Sequence, residues 1–130
     1  MASGQFILND AHEAVPEPNL FKWAIWMETA DRKVRLDADE ASGWAVSTVF
    51  LGLDHSFTST GPPILFETMV FAPGGPRRAP PAEGALRTTP AFTKKWDGAG
   101  ARYSTWDEAV AGHQRIIDEI GRDIMIERDL

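Results

Sequence analysis

Two apolar runs in the middle of the chain have the residue types of β-strands. Residues 44–53 and 64–71 are rich in β-branched and aromatic side chains, which suit the pleated surface of a sheet. The polar segment between them contains Gly61, Pro62 and Pro63, residue types that end strands and form turns. In the first run both alternating sets of side chains are apolar or small, a pattern typical of strands buried on both faces. The two runs predict a central hairpin.

Shorter strands are predicted before this hairpin. Residues 32–39 alternate, with Val34 and Leu36 between charged neighbours, as in a half-exposed strand. Residues 5–8 predict a short edge strand, and residues 9–18 a polar connector. Strands that follow one another along the chain usually pair, so an antiparallel meander is expected. We predict one α+β domain, residues 1–130, with an antiparallel sheet of three to four strands packed against two helices.

The first helix is predicted to begin after Asn19, a favourable N-cap residue. Leu20, Trp23, Ala24 and Met27 follow at helical spacing. Other apolar residues widen this stripe, namely Phe21, Ile25 and Trp26. Either the loop after Phe71 covers the extra surface, or this surface binds a protein partner through Phe21 and Trp26, since exposed aromatic clusters are typical interface anchors.

The second helix has a capping signal and a long apolar seam. Thr105 is followed three residues later by Glu108, which predicts a capping box. The seam then recurs every three or four residues, at Trp106, Val110, His113, Ile117, Ile120 and Ile124. Ala109 and Gly112 border this seam, and their small size would let the helix lie close to the sheet.

Composition excludes several classes of protein. The chain has 43% hydrophobic and 25% charged residues, ordinary values for a soluble globular protein. It contains no cysteine, which excludes disulfides and thiolate metal sites. Its first residues lack the features of a signal peptide, and no apolar run has the length of a membrane span. The predicted location is therefore the cytoplasm, without membrane association.

The net charge of −6 is unevenly distributed along the chain. Residues 72–102 carry six basic and two acidic residues, so the remainder carries a charge of −10. An acidic body disfavours nonspecific binding to nucleic acid. The same segment is rich in Pro, Gly and Arg, which predicts a long loop with a mobile, Pro-rich first half. Phe92 and Trp96 would attach this loop to the core.

Four ionisable residues are candidates for ligand binding: Asp54, His55, Glu67 and His113. If they converge, they could bind a divalent metal or a nucleotide, or supply a general base. Each also has a structural interpretation. His113 would be a hydrogen-bonded helix histidine, Asp54 and His55 would form a turn, and Glu67 would pair with Arg35 across the sheet.

The aromatic residues leave a similar choice. Tyr103, Trp106 and Trp44 could provide a stacking pocket for a base, or they could simply fill a small core. We count Tyr103 and Trp106 with the four ionisable residues as candidate ligand-binding residues. No phosphate-binding loop, dinucleotide fingerprint or nucleophile elbow is present in the sequence. Catalytic residues, metal ligands and cofactors are therefore not predicted.

Three sequence blocks form a recognisable set: STVFLGLDH at residues 47–55, GPPILFETMVF at 61–71, and YSTWDEA with the GH pair at 103–113. Together they resemble a family of short, uncharacterised proteins of tailed phages and prophages. The region from the first block to the last, residues 47–113, covers about half of the chain. The resemblance implies a phage setting, in an infected or lysogenic bacterium, and no mechanism. Members of that family have a much shorter connector between the second and third blocks, so the loop at 72–102 is a departure.

We expect a non-enzymatic phage accessory protein, for host takeover or counter-defence, that binds a host or defence-system protein or a small ligand. The alternative is a small enzyme or ligand-sequestering pocket built on Asp54, His55, Glu67 and His113. A minor virion component is a third option, although the sequence contains no repeat or coiled-coil pattern.

Overall fold

A computed structural model of the chain describes residues 4–56, 60–74 and 88–129, with side chains to residue 124. It confirms the α+β class, and none of the helices in these ranges is long and apolar enough to cross a membrane. The elements in chain order are β1 (Phe6–Leu8), β2 (Ala14–Pro16), α1 (Leu20–Thr29), β3 (Lys33–Ala38), β4 (Ala45–Phe50), β5 (Phe66–Phe71), α2 (Pro90–Trp96), β6 (Gly100–Tyr103) and α3 (Trp106–Asp129).

The main sheet has four antiparallel strands in the order β3-β4-β5-β6. The predicted hairpin forms its centre, with Val46 opposite Val70 and Thr48 opposite Thr68. Strands β1 and β2 form a separate two-stranded sheet. The predicted strand at residues 5–8 is thus real but pairs with β2, a strand within the segment that was expected to be a connector. Its Asn9 turn is closed locally, because the Asn9 side chain accepts hydrogen bonds from the N–H groups of Ala11 and Glu13.

Helix α3 packs across one face of the sheet, which we call the covered face. Thr105 caps it as predicted, since its Oγ1 accepts from the N–H of Glu108 at 3.1 Å. The buried side of the helix is centred on Ala109, Gly112, His113 and Ile116, whereas Val110 of the predicted seam is 39% exposed. The seam is therefore rotated from its predicted position, because the helix approaches the sheet most closely along its small residues.

The other face of the sheet, which we call the open face, bears no described helix. Its side chains include Leu36, 49% exposed, and Phe71, 40% exposed. Ala45 is buried there, while Ser47 and Val49 are half-buried. The prediction that β4 is buried on both faces is therefore only partly correct. Apolar composition favours burial, but it supplies no second layer of structure to cover the strand.

The stretch predicted as a long loop contains a helix and a strand. Thr89 caps α2 by accepting from the N–H of Phe92 at 3.1 Å, and Pro90 occupies the start of the helix, where its missing N–H has no cost. Phe92 and Trp96 attach this segment to the core as predicted, at 4% and 5% exposure. The loop prediction was thus wrong for the second half of the segment. The Pro-rich first half that was expected to be mobile, residues 75–87, lies outside the described residues.

Helix α1 begins after Asn19, whose side chain caps it by accepting from the N–H groups of Phe21 and Lys22. On its inner side, Trp23 Nε1 donates to the Gly52 carbonyl at 3.1 Å. Trp26 packs edge-on against Phe50, with ring centroids 5.7 Å apart. The outer side remains exposed at Leu20, Phe21 and Ile25, by 56%, 78% and 64%. No described residue covers this outer side.

Candidate functional site

A cavity of about 600 Å³ lies beside the second half of α3, and we call it the α3 cleft. Helix α2 and the β3–β4 turn form its other walls. Its apolar lining includes Trp44, Val46, Phe92, Ile117, Ile120 and Ile124, and its polar lining Asp37, Asp39, Ser42 and Thr88. A mostly apolar cavity of this size with a few polar groups is typical of small-molecule sites.

The walls of the cleft are held by local structure. Asp39 and Trp44 face each other across the β3–β4 turn, where the Asp39 N–H donates to the Trp44 carbonyl at 2.9 Å. The Trp44 ring then packs edge-on against Phe92 of α2, with centroids 5.4 Å apart. Gly121 lines the opposite wall on α3, and a Cβ atom at that position would meet no atom within 4 Å. Gly121 is exposed, so it lies on the solvent side of the cleft.

Asp37 links the cleft to the core. It lies on edge strand β3 opposite Val46, so its side chain points to the covered face. Its Oδ2 atom accepts from Arg35 Nε at 2.6 Å and from His113 Nε2 at 2.8 Å. Its Oδ1 atom accepts no hydrogen bond from the described residues. The described residues thus hold the carboxylate by one oxygen and leave the other oxygen without a donor from among them.

A chain of hydrogen bonds continues from Asp37 into the core. His113 Nδ1 lies 2.7 Å from Thr48 Oγ1, which lies 2.5 Å from Thr68 Oγ1. His113, Thr48 and Thr68 are each 0% exposed. We call these four hydrogen-bonded side chains, Asp37, His113, Thr48 and Thr68, the buried chain. They come from β3, α3, β4 and β5, so their hydrogen bonds join all of these elements.

The pKa shifts of Asp37 and His113 determine which atom donates in each hydrogen bond of the buried chain. Partial burial raises the pKa of Asp37, but hydrogen bonds from His113 and Arg35 and the charge of Arg35 outweigh it and leave the pKa below its ordinary value. Burial lowers the pKa of His113, and the charge of Arg35 lowers it further, against the opposing hydrogen bond to Asp37. An ionised Asp37 can only accept and a neutral His113 has one N–H. Therefore His113 Nε2 donates to Asp37, Thr48 donates to His113, and Thr68 donates to Thr48.

A carboxylate, an imidazole and a hydroxyl in this order also occur in acyl-transfer enzymes. Here the hydroxyl belongs to Thr48, which is 0% exposed and therefore cannot reach a substrate carbonyl. Among the described residues there is also no group of three or more His, Asp or Glu side chains that could hold a metal ion. The buried chain can instead hold Asp37 ionised and in a fixed orientation at the wall of the cleft.

The four predicted ionisable residues do not meet. His113 belongs to the buried chain on the covered face, while Glu67 lies on the open face and accepts from Arg102 Nε at 2.7 Å. The expected partner of Glu67, Arg35, instead bonds to Asp37 and Gln114 near α3. Arg102 takes its place because the register of β5 and β6 sets it directly opposite Glu67.

Asp54 and His55 have the structural roles that were the alternative to a site. Asp54 Oδ1 accepts from the N–H groups of Ser56 and Ile64, and these two hydrogen bonds lower the pKa of Asp54. His55 Nδ1 lies 2.8 Å from the carbonyl oxygen of Leu53, and it is the donor because a carbonyl oxygen can only accept. The two residues close the connection that follows β4, and neither has a hydrogen bond to a member of the buried chain.

The predicted aromatic residues are divided between two apolar clusters. Tyr103 and Trp106 pack around Phe50 and Phe66, and Trp44 packs in a second cluster beside the cleft. They do not form one stacking pocket. Trp106 stacks on His12, with centroids 3.9 Å apart, and the buried Tyr103 hydroxyl has no hydrogen-bond partner among the described residues.

The two predicted partner-binding residues also differ. Phe21 is 78% exposed on the outer side of α1, while Trp26 contributes to the core around Phe50. Only Phe21 presents most of its ring to solvent.

Sequence reasoning missed Asp37, Thr48 and Thr68. The sequence pattern does not distinguish Thr48 and Thr68 from the other residues of two β-favouring runs, and Asp37 is only one of the charged residues that alternate along 32–39. A signal was present, because a histidine on the apolar side of a helix needs polar partners, and these had to come from strands facing that helix. The chain matches no protein-family model, and neither curated proteins nor solved structures give a significant match.

Proposed function

We propose that this protein is a non-enzymatic binding protein whose α3 cleft holds a small, largely apolar molecule. The observation that carries the proposal is the cavity of about 600 Å³, lined mainly by apolar side chains and bordered by Asp37. The buried hydroxyl of Thr48 argues against acyl transfer. The phage-like sequence blocks support an accessory role in an infected bacterium, where the protein would sequester its ligand during host takeover or counter-defence.

The lining sets the kind of affinity to expect. Each 100 Å² of apolar ligand surface removed from water contributes about 2.5 kcal/mol. Association costs at least about 4 kcal/mol in lost freedom of motion. A ligand must therefore fill most of the cleft to bind at micromolar concentration, and fragments that occupy one corner will bind weakly.

Filling the cleft with a side chain provides the test. Gly121 lines the cleft at an exposed position of α3, and no described atom lies within 4 Å of where its Cβ would be. Gly121→Phe is therefore tolerated by the fold, and its ring should cover the solvent side of the cleft and abolish binding of apolar compounds. Gly121→Ala is the matched control, because its methyl group leaves most of the volume free. Binding is measured by thermal shift and by tryptophan fluorescence, with Trp44→Phe to assign the signal among five tryptophans. Equal binding to both Gly121 variants would contradict the proposal.

A second candidate function is binding of a host or defence-system protein through α1. The exposed Leu20, Phe21 and Ile25 favour it, since such apolar surface is unusual on a monomer. Phe21→Ser should reduce capture of the partner and change the free energy of unfolding by less than about 0.5 kcal/mol. Trp26→Ala should destabilise the fold by about 2 kcal/mol or more, because its ring packs on Phe50. A partner retained by Phe21→Ser would exclude this surface.

A further inference from the structure

We propose that the α3 cleft selects an organic cation, an amine or alkylated ammonium that carries an apolar body. This inference rests on the proposed function, since it names the class of ligand for the same cleft. Among the described lining residues the ionisable side chains are Asp37 and Asp39, and none is Lys, Arg or His. Two carboxylates on an apolar wall produce a negative potential that favours a cation and repels an anion.

Arg35 offsets part of the charge of Asp37 but leaves Asp39 uncompensated. Its Nε atom donates to Asp37 Oδ2 at 2.6 Å, and its Nη1 donates to Gln114 at 2.6 Å, so its donors are directed at these two residues, and Arg35 is absent from the described lining. Asp37 Oδ1 accepts no hydrogen bond from the described residues and can receive an N–H from a ligand. Asp39 has no ion pair with a described residue, since its Oδ2 accepts only the N–H of Ser42, at 3.3 Å.

The lining also indicates which kind of cation fits. Calcium takes six to eight oxygen ligands, whereas two carboxylates among Trp44, Phe92 and several isoleucines supply few oxygens. An organic ammonium needs only one or two acceptors and gains from an aromatic ring beside it. Trp44 provides that ring, because the turn that holds it also holds Asp39. The isoleucines of α3 would contact the apolar body of the ligand.

The same charges make nucleotides poor ligands for the cleft. A phosphate would meet Asp37 and Asp39 with no cation on the described lining to neutralise it. The buried chain reinforces the selection, because His113 and Arg35 keep Asp37 ionised by donating to Oδ2. A ligand donor that binds Oδ1 leaves both of these hydrogen bonds intact.

A charge series tests this inference with three molecules of one shape: 4-phenylbutylamine, 4-phenylbutanol and 4-phenylbutyrate. Dissociation constants are measured by tryptophan fluorescence at low salt, with the signal of Trp44 assigned by the Trp44→Phe variant as above. We expect the amine to bind at least tenfold more tightly than the alcohol, and the carboxylate more weakly than both. Asp39→Asn should reduce the advantage of the amine severalfold and leave binding of the alcohol unchanged. Asp37→Asn is the second variant, and its folding is checked by circular dichroism because it alters the buried chain.

The outcomes separate this inference from the proposed function. If all three compounds bind equally and Gly121→Phe blocks them, the cleft binds apolar ligands but selection of cations is wrong. Tightest binding by the carboxylate would also overturn it. If no compound binds in a way that Gly121→Phe blocks, the proposed function and this inference fail together. An amine preference that Asp39→Asn reduces supports both.

Discussion

At the scale of residues, His113 fixes the pattern of hydrogen bonds among the four buried or partly buried side chains. Burial keeps its ring neutral, and a neutral imidazole must donate through one nitrogen and accept through the other. Asp37 requires the donor at Nε2, so Nδ1 has to accept from Thr48. The hydroxyl of Thr48 then accepts from Thr68. Each side chain provides the hydrogen-bond partner that the next one needs. Removal of one side chain therefore leaves a buried polar atom without its partner.

Thr48→Val tests this chain with almost no change of shape. It leaves His113 Nδ1 without a donor and the Thr68 hydroxyl without an acceptor, and each unsatisfied buried group costs about 1–3 kcal/mol. We expect a loss of at least about 2 kcal/mol in the free energy of unfolding, measured in urea. Ser47→Ala, on the open face next to it, is the control and should change stability by less than about 0.5 kcal/mol. A Thr48→Val variant of unchanged stability would contradict the contribution assigned to these buried hydrogen bonds.

At the scale of elements, α3 has two contacts of opposite character. Its first half lies so close to the sheet that a Cβ on Gly112 would overlap the Tyr103 ring. Its second half packs isoleucines on the second apolar cluster and lines the cleft. Gly121 is exposed there, with no described atom within 4 Å of where its Cβ would be. One helix therefore provides both the tight contact with the core and the wall of the cleft.

The two glycines predict opposite effects for the same substitution. Alanine favours a helix over glycine by about 1 kcal/mol, so Gly121→Ala should stabilise the protein by about 0.5–1 kcal/mol. Gly112→Ala gains the same propensity but must displace Tyr103, an overpacking cost of about 1–3 kcal/mol. We expect it to be destabilising. Thermal and urea unfolding of the two variants provide the comparison, and stabilisation by Gly112→Ala would show that α3 can move away from the sheet at little cost.

At the scale of the whole molecule, stability should fall as the solution becomes more acidic. The folded state holds the pKa of His113 below its ordinary value of 6.5, so below that pH the unfolded chain binds more protons than the folded one. The contribution of His113 is present above about pH 6.5 and decreases as pH falls. Lowered pKa values of Asp37, Asp54 and Asp123 add a further loss below about pH 4.

Urea unfolding between pH 7.5 and 5.0 measures the histidine contribution. One linked proton changes the free energy of unfolding by at most about 1.4 kcal/mol per pH unit, and we expect part of this slope for the natural chain. His113→Asn should be less stable at pH 7.5 and should show a flatter slope. His55→Asn, in the connection after β4, should retain the decline that His113 causes. A slope unchanged by His113→Asn would contradict the assignment.

The sequence by itself determined the features that depend on neighbouring residues. The caps at Asn19 and Thr105 formed as predicted because each involves groups within three residues of one another. The central hairpin also formed, since two strongly β-favouring runs lie close together along the chain. The buried positions of Phe92 and Trp96 were predictable because large apolar side chains gain most from leaving water.

Only the tertiary structure decided which groups meet. Asp37 and His113 are 76 positions apart, and a pattern of apolar positions shows that a helix has an inner side without showing which strand residues oppose it. For the same reason the sequence left open whether the candidate residues Asp54, His55, Glu67 and His113 converge. They do not, because alternation along β5 places Glu67 on the face opposite α3. The α3 cleft likewise depends on how α2, α3 and the β3–β4 turn meet. Contacts between distant segments are set by packing of the whole chain, and local pattern does not contain them.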